Sequence, residues 1–291
     1  MCDHHDNGDG HGHIHDHHGH GDHKDGHDNG YSHDHGHDDD ERGGHGARED
    51  DAIRIAVTGK GGVGKSTLAA AIAAELAREN DVLAIDADPD ANLARAIGCP
   101  NPPAITDQRE LIEGRVGERG GLLTLTPEVD DVHESHSSTF GTGGRLLTIG
   151  APTGGNTGCL CPENSFVQSL VRSALQTDHV VMDMEAGIEH LGRGTADAVD
   201  AMLVVVEPSL ASLDTAERIE TLAADLEIQT YTIINKVRGD ASSVTDRLEM
   251  PVLATLAYDE AVADAAIRGE PVVEASSALR DTARAVIASI E

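Results

Sequence analysis

The run Gly59-Lys60-Gly61-Gly62-Val63-Gly64-Lys65-Ser66-Thr67 restricts the fold more than any other segment of this chain. It fits G-x-x-x-x-G-K-[ST]. It lies between a β-rich run, Arg54 to Thr58, and an Ala- and Leu-rich run, Ser66 to Glu79. A strand, a glycine loop and a helix in that order let backbone N–H groups turn inward on phosphate oxygens, and the helix N-terminus adds a favourable dipole. Lys65 is expected to reach the β- and γ-phosphates of a nucleotide, and the Ser66 hydroxyl to ligate Mg2+. Further β-rich runs at 82–85, 146–149, 179–182, 202–206, 230–234 and 252–254 are interleaved with helical runs at 162–176, 211–226, 259–267 and 277–290. The pattern predicts an α/β fold, a mainly parallel central sheet with helices on both faces. Residues 100–145 are rich in Gly, Pro, Asp and Glu and read as mostly irregular, with one candidate strand at 122–125.

Carboxylates stand where strands should end. Asp86-Ala-Asp88-Pro-Asp-Ala-Asn92 follows the second strand, and Asp183 closes the run 179–182. In open α/β sheets the ligand crevice lies at those C-terminal ends. Ile234-Asn235-Lys236-Val237-Arg238 ends another strand. Guanine recognition by N-K-x-D needs the Asp as acceptor. Arg238 stands in its place and cannot accept a hydrogen bond. Asn235 can still pair with adenine, so ATP is the expected nucleotide, with Asn235 and Lys236 beside it.

Composition divides the chain. Residues 1–50 hold 14 of the 18 His, interleaved with Asp and Gly and almost free of aliphatic side chains. Such a segment cannot bury enough apolar surface to offset its ordering entropy, and is expected to be a disordered, metal-binding tail. Its imidazoles suit Ni2+, Cu2+ or Zn2+. Residues 51–291 are expected to form one nucleotide-binding domain. The formal charge is −31, of which about −11 falls in the tail. That balance argues against nucleic acid and anionic membranes as partners, and resembles the acidic proteins of halophiles. Only four Lys occur, and the three outside the tail are Lys60, Lys65 and Lys236. A chain that otherwise uses Arg keeps Lys where a compact ammonium faces phosphate. No apolar run approaches membrane-spanning length and no secretory leader is evident, so a cytoplasmic location with reduced thiols is expected.

Lys60 completes K-G-G-x-G-K-[ST], which resembles the deviant Walker A loop of the MinD, ParA and nitrogenase-iron-protein group of P-loop NTPases. The resemblance implies that Lys60 reaches across a homodimer interface to the partner's nucleotide, and that Lys60, Lys65 and Asp88 serve catalysis. Asp88 corresponds to the water-orienting residue of switch I. Asp86 and Asp183 correspond to the Mg2+ environment, with Glu185 and Gly187 in switch II.

Cys159-Leu-Cys161-Pro162 places two thiols two residues apart in a Gly/Pro turn. They can both face one metal ion, or be two buried structural cysteines. Soft four-coordinate ions want four donors, which a two-fold axis through this loop would supply. The runs Gly158-Cys-Leu-Cys-Pro-Glu-Asn164 and Asp183-Met-Glu-Ala-Gly-Ile-Glu-His-Leu-Gly-Arg-Gly194 resemble the CooC-type nickel-insertion ATPases of carbon monoxide dehydrogenase. That resemblance, over about residues 53–291, implies an ATP-dependent homodimer holding Ni2+ (or Zn2+) between paired Cys159/Cys161 loops for a client nickel enzyme. Two other readings stay open: a MinD- or ParA-type positioning ATPase without a metal role, and an iron–sulfur reductase.

Overall fold

The computed structural model describes residues 52–117, 124, 126–150, 162–177, 179–185 and 198–290. Among them, eight strands form one sheet: β1 (Arg54–Gly59), β2 (Val82–Ala87), β3 (Ser138–Phe140), β4 (Gly144–Thr148), β5 (His179–Met184), β6 (Ala201–Val206), β7 (Thr230–Val237) and β8 (Val252–Ala257). Their order is β3-β4-β2-β5-β1-β6-β7-β8. All neighbours are parallel except β3, which turns back antiparallel on β4. The mainly parallel sheet is therefore as the sequence predicts.

Each central strand feeds two cores. Side chains alternate across a strand, so Ile55 and Val57 face one side of β1 while Ala56 faces the other. In β6, Leu203 and Val205 join the first core, and Met202, Val204 and Val206 the second. The first core is closed by α1 (Lys65–Leu76), α2 (Leu93–Ile97) and the C-terminal helix Ser277–Ile290. The second is closed by α3 (Arg109–Val116), the single-turn α4 (Val132–Ser135), α5 (Pro162–Thr177) and α6 (Leu210–Asp225). The short α7 (Ser242–Thr245) and then α8 (Glu260–Arg268) precede that C-terminal helix, α9. Both faces of β1, β2 and β6 are buried, which is why these strands read as continuous apolar runs.

The described residues of the segment 100–145 are more regular than its composition predicts. It carries a 3-10 turn at Ile105–Asp107, then α3, α4 and β3. Few apolar residues are enough here, because Ile105, Ile112, Val116, Val129 and Val132 all bury against Phe166 and Leu170 of α5. Arg115 fastens the segment, donating to both oxygens of Asp131 at 3.0 and 2.7 Å and to the Glu128 carbonyl at 2.7 Å.

The His-rich tail, most of the candidate strand at 122–125, Cys159 and Cys161, and Gly187 lie outside the described residues. Among the described residues no helix is long and apolar enough to cross a membrane.

Candidate functional site

The C-terminal ends of β1, β2, β5, β6, β7 and β8 share one edge of the sheet, and the chemistry collects there. Gly59 ends β1, paired with Val205 of β6. Its φ of 143° lies outside the ordinary range of L-residues, and a Cβ there would strike the Val205 carbonyl. Gly64, with φ 102°, would drive a Cβ into the Asn235 amide. Both glycines are therefore fixed by backbone shape and by crowding. Between them, Gly61 and Gly62 are exposed, Val63 is buried and Lys60 is half-buried. Helix α1 follows with no side-chain cap. Its first-turn N–H groups are thus left for an anion.

The carboxylates converge on this loop. Asp86 of β2 stands beside Asp183 of β5 in the sheet register, and both are fully buried. Asp86 shapes the chain that follows it, accepting from Asp88 N at 3.2 Å and from Leu93 N at 2.9 Å, the first residue of α2. Asp88 accepts from Asp90 N at 3.0 Å through one oxygen. Its other oxygen lies 3.1 Å from the Lys65 ammonium, and both side chains are nearly inaccessible. Lys65 is thus paired with Asp88.

Burial pushes Asp86 up to about 6, against the two backbone N–H groups that pull it down. Burial pushes Asp183 further, to about 7. The Ser66 hydroxyl approaches Asp183 and lowers it part-way, without the alignment of a full hydrogen bond, and neither carboxylate oxygen has another partner. Buried carboxylates short of donors and cations mark a place prepared for positive charge. Among the described residues no three His, Cys, Asp or Glu side chains close on a metal by themselves. Mg2+ is usually bound through one or two carboxylates and completes its shell with phosphates, hydroxyls and water. Ser66, Asp86 and Asp183 are the groups that would hold it, and when bound it would neutralise charge on the phosphate oxygens.

The raised carboxylates give a pH dependence with a definite sign. Between about pH 4 and pH 7 the unfolded chain loses these protons before the native one does. The nucleotide-free protein therefore loses stability as pH rises through that window, and no further above it. Asp183→Asn removes the larger contribution. It is expected to be more stable than the wild type at pH 8 in EDTA, with the gap closing towards pH 4, as measured by urea unfolding.

Strand β7 clamps the loop from the other side. Asn235 Nδ2 donates to the Val63 carbonyl at 2.8 Å, and its Oδ1 accepts from Lys236 N at 2.9 Å. Lys236, at φ 59°, donates its ammonium to the Gly62 carbonyl and lies 3.7 Å from the Glu207 carboxylate. The structure thus puts both residues against the phosphate loop itself. One Nδ2 hydrogen and one Oδ1 lone pair of Asn235 remain beyond these two bonds.

A cavity of about 420 Å3 joins these parts. Lys65, Ser66, Thr67, Asp88, Asn235 and Tyr258 are among the residues that line it. Tyr258 and the residues after it escaped the sequence reading. The available signal was their place just past the C-terminal end of β8, in the crevice such sheets use for ligands. Lys60 points to no partner: its ammonium makes no hydrogen bond or ion pair among the described residues.

Residues 55–272 match the family model described as the CobQ/CobB/MinD/ParA nucleotide binding domain. The chain belongs to this family. Within the CobQ/CobB/MinD/ParA family it is similar to the carbon monoxide dehydrogenase accessory protein CooC of Rhodospirillum rubrum, with 42% identity over 253 residues, covering 82% of this chain and 96% of CooC. An uncharacterized ATP-binding protein of Methanocaldococcus jannaschii is 36% identical over 244 residues, covering 79% of this chain and 94% of that protein. Among solved structures, MinD of the Aquifex aeolicus MinC:MinD complex superposes with a TM-score of 0.59 at 26% identity, over 81% of this chain and 96% of that one. The family and these ATP-binding relatives make the chain a P-loop ATPase of CooC type.

Proposed function

We propose that this ATPase is a metallochaperone that holds nickel between two copies of the chain and delivers it to a client metalloenzyme, with carbon monoxide dehydrogenase as the client. The observation that carries the reading is the 42% identity to CooC across nearly the whole of that protein, joined to a Cys159-Leu-Cys161-Pro-Glu-Asn run that a nucleotide site by itself does not need. Four thiolates from two loops make a closed site for a soft ion, so Zn2+ is the natural competitor. The His-rich tail supplies weak, fast-exchanging sites that feed the thiolates. The work is done in the cytoplasm, where the thiols stay reduced.

In the catalytic cycle, the backbone of the loop from Gly59 to Thr67 cradles the phosphates. Lys65 exchanges Asp88 for the β- and γ-phosphate oxygens. Asp88, released, orients the attacking water. Lys60 reaches the partner's nucleotide, so that hydrolysis proceeds only in the dimer. Hydrolysis then loosens the dimer and opens the thiolate site. Topology supports the coupling. Residues 151–161, which carry the thiols, link β4 to α5, and the adjoining strands β2 and β5 bear Asp86 and Asp183. On the β4 side, Ile149 N donates to the Asp86 carbonyl at 2.8 Å.

Replacing both Cys159 and Cys161 by Ser tests the metal part. The double variant is expected to bind and hydrolyse ATP but to lose nickel-dependent dimerisation in sedimentation velocity. Unchanged nickel-dependent dimerisation would remove the thiols from the proposal.

A further inference from the structure

The cavity extends beyond the phosphate loop to residues that follow β8, and one of these is aromatic. Tyr258 follows β8 directly and lines the cavity with Asn235 and Asp259. Three features hold it still. Its backbone N–H donates to the Val237 carbonyl at 2.9 Å, which ties it to the end of β7. The next residue, Asp259, caps α8 by accepting from Ala261 N at 2.9 Å, which fixes the chain on its far side. The Arg238 guanidinium lies over the ring, with its central carbon 3.6 Å from the ring centroid. Arg238 does not itself line the cavity. A guanidinium over the centroid takes one face of the ring, so a ligand in the cavity would stack on the other.

A ring held in this way is preorganised for stacking. A guanidinium over one face of a tyrosine draws on the ring's negative quadrupole, and it limits side-chain rotation at small entropic cost. The ring sits on the same cavity as Lys65, with Asn235 between the end of β7 and the loop. A nucleotide whose phosphates occupy the loop has its base at the outer end. Aromatic rings in such places stack on any base, because every base offers a π face.

We propose that Tyr258 is the stacking platform for the nucleobase of bound ATP and that Arg238 is its positioning residue. The inference rests on the P-loop reading of the cavity, and it gives Arg238 a second consequence. Besides failing as a guanine acceptor, Arg238 completes the platform. Tyr258 supplies affinity for purines without choosing among them, and discrimination falls to the hydrogen-bonding edge offered by Asn235.

Two ligands separate this from the phosphate site: Mg·ATP, and inorganic tripolyphosphate with Mg2+, which has the phosphates without a base. Binding of each to the full chain is measured by isothermal titration calorimetry for the wild type, Tyr258→Ala, Tyr258→Phe and Arg238→Ala. The chain has no Trp and three Tyr, so quenching of tyrosine emission on ATP binding is a second readout. The expected result is a loss of about ten-fold or more in ATP affinity for Tyr258→Ala with tripolyphosphate affinity unchanged, near-full affinity for Tyr258→Phe, and a smaller loss for Arg238→Ala. ATP, but not tripolyphosphate, should quench the emission, and Tyr258→Phe should abolish the quenching. Equal ATP affinity in Tyr258→Ala and the wild type overturns the stacking assignment. So does a parallel loss of tripolyphosphate binding, which has no base to stack. Failure of the wild type to bind either ligand would instead overturn the nucleotide reading of the cavity.

Discussion

Asp88→Asn is expected to lower ATP turnover by about 10²–10⁴-fold, the range for loss of a positioned proton acceptor, while ATP binds as tightly as before or more tightly. The second half of this result comes from the structure. The Asp88 carboxylate lies 3.1 Å from the Lys65 ammonium, and both groups are buried. A phosphate oxygen must displace that carboxylate before it can pair with Lys65. Asparagine keeps the shape and the backbone turn to Asp90 but gives up the charge. It leaves Lys65 buried and unpaired in the empty protein, where breaking such a pair costs about 3–5 kcal/mol. Part of that cost is recovered when ATP arrives, so the variant should favour the bound state. Single-turnover hydrolysis and equilibrium binding of ATP measure the two effects separately. A variant that loses ATP affinity in proportion to turnover would show that Asp88 serves binding and does not compete for Lys65.

Lys60→Ala is the second large effect. Its ammonium has no partner among the described residues, whereas Lys236 and Lys65 are both engaged. A lysine kept in a Lys-poor chain, with no such partner among the described residues, is available to the proposed partner subunit's nucleotide. The variant should bind ATP normally as a monomer but hydrolyse it at least about 10²-fold more slowly, the scale of a lost donor to developing charge. Mixing identifies the direction of reach. Lys60→Ala and Asp88→Asn chains are each inactive, yet a heterodimer of the two contains one site with an intact Asp88 and a Lys60 donated by the other chain. An equal mixture should recover about a quarter of wild-type turnover, since half the dimers are mixed and each has one working site. No recovery would place Lys60 in its own subunit's site.

The parts of this molecule that follow local rules were legible in its sequence. Strands such as Met202–Val206 announce themselves because both faces are buried, and the glycine loop announces itself because phosphate binding demands its shape. Helix α2 was hidden behind the run Asp88-Pro-Asp-Ala-Asn92. It is five residues long and owes its start to the Asp86 carboxylate accepting from Leu93 N, a long-range bond without a local signature. Helix α3 was hidden because Gly114 interrupts it and only Ile112 and Val116 bury. The Lys65–Asp88 pair and the Tyr258–Arg238 stack each join residues from different strand ends. They depend on the order of β2, β1, β7 and β8 in the sheet, which periodicity cannot supply. The carboxylates at 86, 88 and 183 were found because strand C-termini are where such sheets bind ligands.

If nucleotide state controls a metal ion shared by two chains, nickel stoichiometry must change with the nucleotide. Chain lacking residues 1–45, purified without tags or chelating columns, removes most of the His-rich sites from the count. Equilibrium dialysis against nickel is then performed with ATP, with ADP and without nucleotide. The account predicts about one tightly held nickel per two chains with ATP, a closed site built from four thiolates on a two-fold axis, and loss of that ion once ATP is hydrolysed. Nickel bound at the same level in all three conditions, or none bound once the tail is gone, would contradict it.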